Sequence, residues 1–396
     1  MLERWSKPLS FRLLSLLLLV LAGLPARATT ISAPADLGEL ARMSEAVVFA
    51  QAIESYGEEG DTLPYTITRF LVVRQVAGRE VAGVFETREP GGSVPGRARG
   101  AVVAGSPRFT PGQNYLLFLD ATADGRWRSK TLAYGLLEET PDGERLRPLP
   151  QADRVEVLPA RPGRAVEPVG VYKKEALLQH LGEVKKGARW ERQRVLAASL
   201  DVSDKTAAEP SGLTSVSAAS HNAPPACEFL PDPGDNLPLR WFGFENGTRT
   251  ATIVATTPGQ TGIADGGVSA VQQGAAAWTN HPDSVIRLEF DGTRARAATC
   301  SQNFDVDQGA VIFNDPCDDL ADLSQNCVGT LAFGGAIYNN TQTQNYDGEP
   351  WHPAMTTFVV VNNGAQCIGE VSFRETLAHE LGHSLGFGHH TPANPA

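Results

Sequence analysis

His379-Glu380-Leu381-Gly382-His383-Ser384-Leu385-Gly386-Phe387-Gly388-His389, near the end of a 396-residue chain, decides how the rest is read. His379 and His383 are four apart, so on a helix they share one face, one turn from each other. Two imidazoles so placed can share a metal ion. Glu380 leans to the same side, where a carboxylate can hold a metal-bound water and take its proton. A tetrahedral site with one open position needs a third ligand. His389 reaches the metal only if the chain turns back. Gly386 allows that turn, because glycine tolerates a left-handed backbone. A chance match is the bland alternative, and the glycine and third histidine in register weigh against it. His390 reads as a surface histidine. Upstream, Ser372 and Glu375 have capping-box spacing, with Ser372 at N-cap. Phe373, Leu377 and Leu381 form an apolar stripe for packing on a sheet.

The run resembles the zinc-peptidase clan of metzincins, and HELGHSLGFGHH looks most like the matrixin branch. The resemblance implies one catalytic Zn²⁺ on His379, His383 and His389, with Glu380 as general base. It also implies an α/β (α+β) catalytic domain in which a mixed twisted sheet backs the zinc helix. A strand above the zinc would keep a bare edge for extended substrate, and Thr330 to Phe333 takes that part here. Metzincins carry a methionine turn downstream of the third histidine. Met1, Met43 and Met355 all lie upstream of it. The expectation is a fragment whose catalytic domain lacks its C-terminal part.

Whole-chain features set the context. A net charge of −11 argues against a general nucleic-acid binder. Arg4, Lys7 and Arg12 precede an apolar run, Leu13 to Leu21, and Ala26-Arg27-Ala28 reads as a cleavage signal. Residues 1–28 are therefore expected to be a signal peptide. The mature protein is expected outside the cell or in a periplasm, with no stable membrane insertion. The five cysteines, Cys227, Cys300, Cys317, Cys327 and Cys367, suit an oxidising compartment. Cys317 and Cys327 could close a short loop, but spacing does not fix connectivity. The odd cysteine fits a partner beyond the end of the chain.

Residues 29–150 read as a small β-rich domain, a barrel or sandwich of short strands. It opens with a helix, Ala35 to Ser44. Nothing in it reads as a catalytic site. It contains no cysteine, so latency through a zinc-bound thiolate is excluded, and any latency is steric or uses another ligand. Residues 151–226 read as a helical stretch, 171 to 200, followed by a Ser/Ala/Pro linker, Asp201 to Ala226. Residues 227–396 then hold the zinc domain. Its expected strands are Pro238–Phe242, Val285–Phe290, Ala310–Phe313, Thr330–Phe333 and Thr357–Val361, with a helix over Gly267–Asn280. Calcium is a second candidate ion. Asp315, Asp318, Asp319 and Asp322 are dense enough for a calcium loop, although a solvated acidic loop is the commoner outcome. The end of the last strand, Val359 to Asn363, lacks carboxylates and predicts no structural metal there.

The expected activity is hydrolysis of a protein or peptide substrate by a zinc-activated water. One rival is a secreted binding protein that carries an inactive zinc-holding remnant. Another is a metal hydrolase acting on something other than peptides.

Overall fold

The computed structural model describes residues 29–61, 63–159, 165–197, 229–282, 284–295 and 308–388. The expected signal peptide, the Asp201–Ala226 linker, Cys227, Cys300, His389 and His390 lie outside the described residues.

The first half of the chain runs β1 (Thr30–Ala33), α1 (Leu37–Met43), β2 (Ala46–Glu58), β3 (Tyr65–Gly78), β4 (Val84–Pro90), β5 (Gly92–Ser93), β6 (Gly100–Val103), β7 (Asn114–Ala121) and β8 (Trp127–Ala133). It continues with β9 (Leu137–Glu139), β10 (Arg145–Pro148), β11 (Glu156–Pro159), β12 (Tyr172–Lys173), α2 (Lys174–Lys185) and α3 (Arg192–Val195). The second half has β13 (Leu239–Arg240), β14 (Ala251–Thr257), α4 (Val268–Thr279), β15 (Leu288–Ala295), β16 (Gln308–Ile312) and β17 (Gly329–Tyr338). It ends with β18 (Gln344–Tyr346), β19 (Glu349–Val361) and α5 (Glu370–Ser384).

Strands β7, β2, β3, β4 and β8 pair in that order, and β8 pairs back to β7, closing a five-stranded barrel. The apolar runs of β2 and β7 are buried on both faces: Val47, Val48, Leu117 and Phe118 are all inside. Glu89 is the costly exception. It is 1% exposed and accepts hydrogen bonds from the Ser129 amide (2.9 Å) and hydroxyl (2.6 Å). Burial raises its pKa from 4.5 to about 7, against the pull of those two bonds. The folded protein therefore holds a proton here that the unfolded chain has lost. This stabilisation is complete below pH 4.5 and fades as pH rises to about 7, by up to about 3 kcal/mol. Glu89→Gln is expected to flatten that stretch of the pH–stability curve and raise Tm at pH 8, measured by calorimetry. An unchanged slope would mean that Glu89 is ionised throughout.

The larger sheet has the central order β11-β1-β17-β19-β16-β14-β15. Strands β19, β16, β14 and β15 run parallel, and β17 is antiparallel to β19. Helices α4 and α5 cross one face. Gly274 lies under Leu381, Gly382 under the Trp278 indole, and Trp278 Nε1 donates to the Ala378 carbonyl at 2.9 Å. Phe373, Leu377 and Leu381 are buried as the stripe requires, each contributing on the order of 2 kcal/mol.

The two halves do not separate at the expected boundaries. Strands β1, β5, β6 and β11 come from the first 160 residues, yet they belong to the larger sheet. Leu63, Tyr65 and Ile67 share one core with Phe333, Phe358 and Val360.

Several expectations need correction. Helix α5 starts at Glu370, with Gly369 (φ +80°) at N-cap, so Ser372 lies inside the helix and caps nothing. Helix 171–200 is two pieces, broken after Lys185 by Gly187 at φ +105°. Only Leu239 and Arg240 of the expected first strand pair, and the sheet's true strand there is β14. Cys327 bonds Cys367, not Cys317, and so ties the entry to β17 to the turn before α5. The acidic loop is only partly solvated: Asp318 and Asp322 are exposed, and Asp319 is buried. The Asp315 carboxylate accepts the amides of Asp319 and Leu320 (2.9 and 2.8 Å), and buried Asp319 accepts from the Tyr65 hydroxyl. Asp318 pairs with Arg128 at 2.7 Å. Asp318 and Asp319 thus tie this loop to the barrel strands, while Asp315 orders the loop itself.

Candidate metal centre

Helix α5 ends at Ser384, and Gly386 (φ +92°) makes the expected left-handed turn. The Gly386 amide donates to the His383 carbonyl at 2.8 Å, and Phe387 to Gly382 at 3.2 Å. This closes the helix and sends the chain back across its end.

The turn also orients a ligand. The Phe387 carbonyl lies 2.7 Å from His383 Nδ1, which makes that nitrogen the proton-bearing one. His379 Nδ1 lies 3.4 Å from a Glu156 carboxylate oxygen. Each ring thus spends Nδ1 on an acceptor and turns Nε2 inward. The two Nε2 atoms are 2.9 Å apart, with the rings at 76°. Zinc bonds imidazole nitrogen at about 2.0–2.1 Å, so an opening of a few tenths of an ångström seats one ion between them. A second acceptor on each ligating histidine is the usual support of such a site. Both imidazoles therefore fit zinc. The third expected ligand, His389, lies outside the described residues.

Glu380 is fully buried. Its Oε1 accepts from both the amide (2.7 Å) and the hydroxyl (2.8 Å) of Thr30. Oε2 makes no hydrogen bond of good geometry, although the Gly334 amide faces the carboxyl. Burial is the largest influence and pushes the pKa to about 8, the Glu156 charge adds to it, and the Thr30 bonds oppose it. Strand and helix meet closely here. A Cβ on Gly334 would stand 2.0 Å from the Glu380 carbonyl oxygen, so only glycine fits.

The edge of β17 is not bare, which corrects the reading of Thr330 to Phe333. β1 pairs antiparallel along its start, Thr30 with Ala332, Ile31 with Thr330 and Ser32 with Gly329. β6 covers its end, from Gly335 to Tyr338. The interval is Phe333 and Gly334, directly over Glu380. β11 then flanks β1 in parallel, which brings Glu156 to His379. Sequence reading missed Thr30 and Glu156. Neither sits in a motif, and their partners are more than 200 residues away.

Beside His379 opens a cavity of about 960 Å³, lined by Phe229, Trp241, Trp278, Phe387 and Glu156 among others. Phe229 packs on Phe387, and Trp278 stacks on the same ring at 5.4 Å. The chamber is mainly apolar and could take a large side chain.

No protein-family model, no curated protein and no solved structure matches this chain.

Proposed function

We propose that this chain is a secreted zinc-dependent endopeptidase, held with a strand of its own across the cleft. The observation that carries this reading is the convergence of the His379 and His383 Nε2 atoms at 2.9 Å, on the helix that also carries the buried Glu380. His379 and His383 would hold the ion, with His389 as the third ligand that the motif implies. Zinc, when bound, supplies a Lewis acid for the substrate carbonyl and makes water more acidic. Glu380 takes the proton of the attacking water and returns it to the leaving amine. An extended peptide would lie where β1 now lies, its backbone pairing with β17. Its side chain would enter the apolar chamber beside His379.

The alternative, a binding protein that keeps a retired zinc site, draws on the covered edge and the sequestered carboxyl. Among the described residues no helix is long and apolar enough to cross a bilayer.

Zinc analysis and casein cleavage test the proposal together. The parent chain is expected to retain zinc, and His383→Ala to lose both that ion and any cleavage. A parent that holds no zinc at this site, or a His383→Ala protein that still cleaves casein, would end the reading.

A further inference from the structure

A second group of ligating side chains lies away from α5. Asp232 and Asp235 sit on the turn Asp232-Pro233-Gly234-Asp235-Asn236-Leu237, and His352 is on β19. One donor atom from each falls within 4.8 Å of the others. Asp232 is 3% and His352 2% exposed, while Asp235 reaches solvent.

The orientation of the three groups is the informative part. His352 Nδ1 is 2.8 Å from the Gln342 carbonyl, so the proton of a neutral ring belongs there. Nε2 then presents a lone pair. It faces Asp235 Oδ2 at 2.9 Å and Asp232 Oδ2 at 3.3 Å, two more lone-pair donors. Three such atoms converge stably only around a positive centre, either a metal ion or a second proton on the His352 ring. The outer oxygens are already engaged. Asp232 Oδ1 accepts the Gly234 amide at 2.7 Å, and Asp235 Oδ1 accepts the Leu237 amide at 2.9 Å. Asp232 also accepts from the Tyr338 hydroxyl, and the Oδ2 atoms of Asp232 and Asp235 are the oxygens nearest Nε2. Bonds of about 2.0–2.2 Å in a tetrahedral set space the donor atoms roughly 3.3–3.5 Å apart, close to what is found.

We propose that Asp232, Asp235 and His352 form a second metal site, for a divalent transition cation of the zinc class. One nitrogen and two carboxylate oxygens suit such an ion better than calcium, which prefers oxygen alone. A coordination position remains on the solvent side, next to Asp235. The site has a structural task. The Leu230 amide donates to the Gly386 carbonyl at 2.8 Å, and Phe229 packs on Phe387. An ion at Asp232 therefore fixes the strand that walls the apolar chamber and braces the turn after His383. The expected absence of a structural metal at Val359 to Asn363 concerns the other end of β19.

The site stands apart from the peptidase reading, and its test does too. The full chain, stripped with chelator and titrated with Zn²⁺, is compared with Asp235→Asn by metal analysis after dialysis. Asn keeps the acceptor for the Leu237 amide, so the metal-free melting temperatures should agree. The parent is expected to bind one zinc equivalent more than the variant. Zinc should also raise the parent's Tm by several degrees beyond the rise in the variant. His352→Asn should repeat the loss. Equal stoichiometry in parent and variant overturns the proposal and assigns the central position to a proton on His352. A metal-free Tm that already falls in Asp235→Asn, with zinc binding unchanged, overturns it as well.

Discussion

Glu380→Gln is expected to bind zinc as the parent does and to lose casein hydrolysis by about 10²–10⁴-fold, the usual share of a positioned acid–base group. Gln is nearly isosteric and keeps an oxygen for the Thr30 amide and hydroxyl, so the fold should survive. The amide nitrogen of Gln would replace Oε2 and meet the Gly334 amide as donor to donor, so a modest loss of stability is expected while the Thr30 bonds persist. The His379 and His383 nitrogens are untouched, so zinc content separates loss of chemistry from loss of the ion. Casein cleavage by Glu380→Gln at the parent rate would remove this residue from the mechanism.

Thr30→Pro is expected to act in the opposite direction and raise hydrolysis about 100-fold. Proline has no N–H and no hydroxyl, so both hydrogen bonds to Glu380 Oε1 vanish at once. Two such bonds contribute roughly 3 kcal/mol together, and each 1.4 kcal/mol is tenfold in the population of uncovered β17. Thr30→Val, which removes only the hydroxyl, should give a smaller increase. Initial rates on casein would show the order parent, Val, Pro. If all three proteins are equally inert with zinc bound, the retired-site reading gains and the peptidase proposal fails.

Local signals made part of this legible. The four-residue spacing of His379 and His383, the stripe Phe373-Leu377-Leu381 and the glycine at 386 each act within a few residues, and α5 follows them. The apolar runs of β2, β7 and β19 were equally plain. What failed was set by distance. β1 is four residues, Thr-Ile-Ser-Ala, and its pairing with β17 spans about 300 positions. Backbone hydrogen bonds carry no side-chain code, so nothing in that tetrapeptide names its partner. Cys327 chose Cys367 because the fold brings their Cα atoms to 5.8 Å, while the nearer Cys317 belongs to the loop that grips the barrel. β14 was overlooked because Ala-Thr-Ile-Val-Ala-Thr-Thr has small side chains and little alternation. Asp232 and His352 are 120 positions apart, and only the parallel pairing of Leu239 with His352 brings them together.

On the peptidase proposal, β1 would be a ligand on a leash, since it pairs along β17 where substrate is proposed to lie. A tethered segment meets its target at a local concentration near the millimolar scale, however dilute the protein is. An incoming peptide would have to outcompete that value, so on this proposal weak substrates would be refused and dilution alone would not open the cleft. Occupant and target are also made one to one in every molecule. Residues 29–226 hold no cysteine, so thiol reagents have no grip on the leash. Cutting the chain does. Once severed, the strand becomes an ordinary dissociable peptide that can be washed away or digested.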